Sequence, residues 1–201
     1  MSGPVASRHA IIVVDPQPDF FEGGSLPVPR ATATSYRIAT FLAEHRGRYV
    51  AVVVTQDWHV DPGDHWSDQP DFVTSWPVHC SAGSGGAAIH ESLGDVEWTS
   101  VIHKGMHRAA YSGFEGESDA GVPLGEVLSR HGVTHVTVVG FATDHCVLAT
   151  ALDACDVGFT VNVPLDLCAG VDPETTDVAI TRMRQRGVAV TSSAQVILNV
   201  E

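Results

Sequence analysis

The chain has 201 residues, long enough to bury one sizeable core and short for two. Hydrophobic residues make up 44% of it and charged residues 17%, which excludes global disorder. Eleven Lys and Arg against 24 Asp and Glu leave a formal charge of −13, a field that repels nucleic-acid backbones and anionic lipid surfaces. No apolar run reaches the ~20 residues of a membrane span, and Met1–His9 has no leader character, so the expectation is a cytoplasmic protein.

In chain order, Val/Ile-rich runs predict strands at 10–14, 49–55, 99–103, 135–139, 159–163 and 188–191. Helix-length segments fall between them at 32–46, 122–131, 143–156 and 173–186. The last is punctuated by Asp172 as N-cap, Pro173 at N1 and Gly187 just past its end. The strands are mostly non-alternating, as strands buried on both faces are. The expected fold is α/β: a single-domain three-layer sandwich with a mainly parallel sheet of about six strands flanked by helices. With no repeat or linker, one domain spans 1–201, with its core at about 9–193.

Two long irregular stretches, 15–31 and 56–95, follow the first and second strands. Both therefore open onto the carboxyl edge, where ligands of open α/β sheets sit. Three chemistry-bearing residues end strands at that same edge: Asp15, Lys104 and, one turn beyond Gly140, Cys146. Singly, each has an ordinary reading as a turn aspartate, a solvated lysine or a core cysteine. Together they form an active-site arrangement. With Thr143 as N-cap, Cys146 lies in a helix's first turn, where free amides and the helix dipole favour a thiolate and can bind an oxyanion. Cys80, Cys155 and Cys168 lack that context, and no Cys-x-x-Cys pair or disulfide framework is present.

The second loop carries Asp57-Trp58-His59, then Pro62-Gly63-Asp64-His65, then His79. Asp57 and His59 share a face if the extended geometry continues, and the Pro-Gly turn returns His65 to them. Three imidazoles and a carboxylate suit one divalent metal ion, Zn or Fe before Mn. Gly83-Ser84-Gly85-Gly86-Ala87-Ala88 has the letters of a dinucleotide fingerprint but follows no strand, so no nucleotide cofactor is implied. The aromatics have no basic stripe among them and suit a small aromatic ligand better than nucleic acid.

Val13-Val14-Asp15-Pro16-Gln17-Pro18-Asp19-Phe20, Gln56-Asp57-Trp58-His59, Ser75-Trp76-Pro77-Val78-His79-Cys80, His103-Lys104-Gly105, Tyr111-Ser112-Gly113-Phe114 and Ala142-Thr143-Asp144-His145-Cys146 together resemble the nicotinamidases, or pyrazinamidases, of the isochorismatase-like cysteine hydrolases. The resemblance runs from about residue 9 to residue 193. It implies the isochorismatase-like hydrolase fold and hydrolysis of nicotinamide to nicotinic acid and ammonia through a cysteine thioester, with pyrazinamide also accepted, as a step of pyridine nucleotide salvage. It implies Asp15 as base, Lys104 as its electrostatic partner, Cys146 as nucleophile and the Ala142 and Cys146 amides as oxyanion hole. Asp57, His59, His65 and His79 would hold the metal. Phe20, Leu26, Trp76, Tyr111, Phe141, Ala142 and His145 would bind the small aromatic amide, and the Phe141–Ala142 peptide would be cis. The family's usual Gln-Asn-Asp reads Gln17-Pro18-Asp19 here, which removes an amide side chain near Asp15. The alternatives are another isochorismatase-like amidase or hydrolase, or a catalytically silent ligand-binding domain. A homo-oligomer is compatible with the sequence, which does not set the oligomeric state.

Overall fold

The structure is a computed structural model and describes residues 7–199. Its strands are β1 (His9–Val14), β2 (Ala51–Asp57), β3 (Ser100–Lys104), β4 (His135–Phe141), β5 (Thr160–Pro164), β6 (Cys168–Ala169) and β7 (Ala189–Thr191). They form one parallel sheet in the order β3-β2-β1-β4-β5-β7, with β6 continuing beside the end of β4. The helices are α1 (Ala31–His45), α2 (Leu124–Arg130), α3 (Leu148–Asp156), α4 (Pro173–Gln185) and α5 (Ser193–Asn199).

The absence of polar alternation in the strands follows from the layers. Ala10, Ile12 and Val14 of β1 face Leu128 of α2, Ala151 of α3 and Met183 of α4. Ile11 and Val13 face Ile38 and Leu42 of α1 and Val196 of α5. Every β1 and β2 residue is buried, so both side-chain directions must be apolar until the strands emerge at their carboxyl ends.

The expected parallel α/β sandwich is present, with local corrections. The second strand begins at Ala51 instead of 49, and Tyr49 joins the core from the preceding segment. Two elements went unanticipated: two-residue β6, too short to leave a hydrophobic pattern, and α5. The predicted helix 143–156 starts as a π-helical turn, Thr143–Val147, before α3. Its N-cap is Ala142 with no side-chain cap, so Thr143 is not the N-cap.

Candidate active site

The end of β1 brings Asp15 out of the core beside β2 and β4. Its backbone φ is +49°, and its N–H meets both the carbonyl and the hydroxyl oxygen of Thr55 at 3.2 Å. The Thr55 hydroxyl donates to Asp15 Oδ1 at 2.6 Å. Gly140 makes this junction possible. A Cβ there would lie 2.2 Å from the Val14 carbonyl oxygen, and its φ of +114° disfavours any other residue.

β3 is paired with β2 so that Lys104 sits opposite Asp57. The lysine is 1% exposed and touches three side chains and the Ala110 carbonyl. Its Nζ lies 2.9 Å from Asp15 Oδ2, 2.5 Å from Asp57 Oδ1 and 3.5 Å from Cys146 Sγ. Burial disfavours a charged lysine, but the two carboxylates and the thiol outweigh it and raise its pKa well above the ordinary value. Asp15, Asp57 and Cys146 present side-chain atoms within 4.8 Å of one another.

The thiol differs from the expectation of a low-pKa cysteine. Burial raises the Cys146 pKa well above 9.0, and Lys104 only partly offsets this. Burial likewise raises Asp15, against the opposing pull of Lys104. The site thus places a buried thiol beside a buried carboxylate, each with its proton affinity increased by burial. Asp57 ends on the other side of the balance. Burial pushes its pKa up, but Lys104 and the neighbouring histidines hold it far below the ordinary carboxylate range.

Asp57 closes β2, and the loop that follows folds back over it. His59 pairs with the Ser81 segment, and a 3-10 turn at Gly63–His65 returns His65. Imidazole nitrogens of buried His59, His65 and His79 lie within 4.8 Å of one another. The Nδ1 atoms of His59 and His79 approach the carbonyls of Gly105 (2.6 Å) and Pro77 (2.7 Å), which orients both Nε2 atoms inward. Gly105 allows the first contact: a Cβ there would lie 2.6 Å from His59 Cε1. Burial lowers the pKa of His79 and holds that of His65 at about 4, so both rings are neutral donors at pH 7. His59 Nε2 and His65 Nδ1 are buried without a hydrogen-bond partner. Three converging imidazoles, two of them with an orphaned nitrogen, fit a divalent metal. Asp57 stands at the edge of this set, its Oδ2 3.7 Å from His59 Nε2 and 3.8 Å from His79 Nε2.

A pocket opens between the thiol and the histidines. All seven residues expected to hold an aromatic amide, Phe20, Leu26, Trp76, Tyr111, Phe141, Ala142 and His145, line it beside Cys146, Asp57, His65 and His79. The Trp76 indole N–H donates to the Tyr111 hydroxyl at 3.0 Å. The Phe141–Ala142 peptide is cis.

Sequence reasoning missed three supporting side chains. Thr55 holds Asp15. Gln17 clamps the end of β2, its carboxamide donating to the Asp57 carbonyl and accepting the Asp57 N–H, both at 2.8 Å. Asp19 accepts the Cys80 N–H at 2.6 Å and so ties the first loop to the His79 segment. The prolines flanking Gln17 therefore leave Asp15 supported, through Thr55. Asp-Pro-Gln-Pro-Asp was the available signal for Gln17 and Asp19, whereas Thr55 lies inside an apolar strand and carried none.

The sequence matches the Isochorismatase domain family over residues 9–195. It is 47% identical over 186 residues to the nicotinamidase/pyrazinamidase of Mycobacterium tuberculosis, covering 92% of this chain and 100% of that one. It is 34% identical to the Escherichia coli nicotinamidase, covering 91% and 93%. Among solved structures, the Pyrococcus horikoshii pyrazinamidase in complex with zinc superposes with a TM-score of 0.77 at 34% identity, covering 92% and 99%. The L. infantum protein PnC1 in complex with nicotinate gives 0.79 at 32%, covering 94% and 95%. With the Asp, Lys and Cys at the strand ends and the match along nearly its whole length, the chain belongs to the isochorismatase family of hydrolases.

Proposed function

We propose that the protein is a metal-containing cysteine amidohydrolase that converts nicotinamide to nicotinic acid and ammonia and also accepts pyrazinamide. The observation that carries this reading is the adjacency of two sites in one pocket: a buried Asp15–Lys104–Cys146 set and a three-histidine cluster beside an aromatic-walled cavity. The nicotinamidases and pyrazinamidase it resembles, one of them in complex with zinc and another relative in complex with nicotinate, support the substrate and the metal.

Asp15 takes the Cys146 proton as sulfur attacks the carboxamide carbon. The backbone amides of Ala142, which caps the π turn, and of Cys146 within it would receive the negative charge developing on oxygen. Collapse releases ammonia, with the proton returned by Asp15, and leaves a thioester. Asp15 then activates the water that hydrolyses it. Lys104 stays charged throughout and stabilises first the carboxylate and then the thiolate. His59, His65 and His79, with Asp57 at their edge, would hold a divalent ion, zinc or iron before manganese, which when bound supplies a Lewis-acidic point to orient the pyridine nitrogen. The substrate is a small neutral aromatic amide; neither nucleic acid nor membrane is a partner.

The test is ammonia release from nicotinamide by the purified protein, with and without chelation, and mass detection of a nicotinoyl adduct on Cys146 after rapid quench. Hydrolysis with no adduct and full activity of Cys146→Ala would exclude the thioester route. Failure to hydrolyse nicotinamide while another amide is turned over would move the protein to a different amidase of the same fold.

A further inference from the structure

Two rings in the pocket wall, His145 and Tyr111, have a second side. They line the aromatic-amide pocket on one face and, on the other, a separate surface cleft of about 300 Å³. Leu148, Ala149 and Leu152 form the cleft's apolar side, following His145 at helical spacing along α3, and Asp144, Asp153 and, from α4, Arg182 complete its lining. The wall is thin and braced. The His145 and Tyr111 ring centroids are 6.3 Å apart, and His145 meets Trp76 edge-on at 5.2 Å. The Tyr111 hydroxyl is tied to the Trp76 indole, and the Tyr111 N–H donates to Glu115 at 2.9 Å.

Behind His145 stands Asp144, while the ring's Nδ1 is buried without a hydrogen-bond partner. The Asp144 carboxylate is 1% exposed, lies 3.3 Å from His145 Nδ1, and accepts the Val171 N–H at 3.0 Å and the Thr175 hydroxyl at 2.5 Å. Val171 lines the same pocket. The same buried carboxylate thus stands beside the His145 ring and holds the backbone of a second pocket-lining residue.

We infer that His145 and Tyr111 form a septum that sets the size limit of the substrate, and that the cleft behind it is a latent subsite for an apolar substituent on the aromatic ring. This rests on the aromatic-amide reading above and specifies which residues set its range. In the native protein an alkyl group directed toward His145 collides with the braced ring. With that ring removed, the substituent passes into the cleft and buries against Leu148 and Leu152, where each buried methylene is worth about a fourfold gain in affinity.

Binding separates this from effects on chemistry. Dissociation constants for nicotinamide and for its 2-, 5- and 6-propyl isomers are measured on zinc-loaded Cys146→Ala protein, then after adding His145→Ala, and after further adding Leu148→Trp to fill the cleft. The expected result is that His145→Ala improves binding of at least one propyl isomer, relative to nicotinamide, by tenfold or more, and that Leu148→Trp removes the gain. Tyr111→Ala opens the same wall from its other side and serves if the histidine variant does not fold. Relative affinities unchanged within twofold for all three isomers in a folded septum variant would overturn the inference, as would a gain that survives Leu148→Trp. If nicotinamide itself fails to bind the Cys146→Ala protein, it is the aromatic-amide reading that falls.

Discussion

Asp57 and Lys104, opposite one another at the ends of β2 and β3, meet at 2.5 Å, and the same carboxylate turns its other oxygen toward His59 and His79. One side chain therefore stands between the candidate metal centre and the candidate catalytic set. Its role differs from that of Asp15, which also touches Lys104 but has its proton affinity raised by burial, whereas Asp57 is held ionised.

Asp57→Asn keeps shape and removes charge, so it should act on both sites. We expect metal affinity to fall about 10–100-fold, as for loss of a group that orders or completes a ligand set. We also expect a loss of about 3 kcal/mol of stability, because Lys104 stays buried with one carboxylate fewer. Metal titration and urea unfolding measure these separately. Unchanged values in both would show that Asp57 joins neither site.

Cys146→Ala removes only the sulfur, 3.5 Å from Lys104 and outside the histidine cluster. Turnover of nicotinamide should fall at least about 10⁴-fold, while metal content and the unfolding midpoint stay near those of the parent. Ammonia assay and metal analysis on the same preparation check it. Retained turnover would move the nucleophile elsewhere, and loss of metal would make Cys146 a ligand.

The sheet and the three strand-end residues were legible in the sequence because buried parallel strands need unbroken apolar runs, and an acid, lysine or cysteine within a turn of the end of each run marks the carboxyl edge. Asp57, His59, His65 and His79 were legible as a dense set along one loop. What could not be read was tertiary support. Thr55 looks like any β-branched strand residue until β1 places Asp15 beside it. The shift of Cys146 away from the thiolate could not be read from its place near a helix start, because burial outweighs the pull of Lys104.

At the opposite end of the sheet, His9 and His135 open β1 and β4 with their rings stacked 4.7 Å apart. Burial, and then the proximity of His135, lower the His9 pKa below 6.5. A lowered histidine pKa means that the unfolded chain takes up the proton first. Stability from neutral His9 is thus fully present above pH 6.5 and is lost as pH falls through the folded-state value. Thermal midpoints recorded between pH 7 and 5 should decline less steeply in His9→Phe than in the parent. Parallel declines would remove His9 from the acid sensitivity of the fold.

Thr55 gives the sharpest test of how Asp15 works. Its hydroxyl donates to Asp15 Oδ1 at 2.6 Å inside the fully buried end of β2, a bond that favours the ionised carboxylate and partly offsets the rise imposed by burial. Thr55→Val has nearly the same volume and β propensity but leaves that oxygen without its donor. The Asp15 pKa should then rise further, because a hydrogen bond that favours the ionised carboxylate is lost. If Asp15 must be ionised to accept the Cys146 proton, the acidic limb of the pH profile of kcat/KM moves up by the same amount. The loss of kcat/KM is greatest on that limb and fades at pH values well above it. Metal content and the pocket should be untouched, because Thr55 reaches neither. Measuring kcat/KM for nicotinamide from pH 5 to 8 in both proteins decides the matter. An unshifted acidic limb with a folded, metal-loaded variant would mean that ionisation of Asp15 does not limit the attack and that the proton leaves Cys146 by another route.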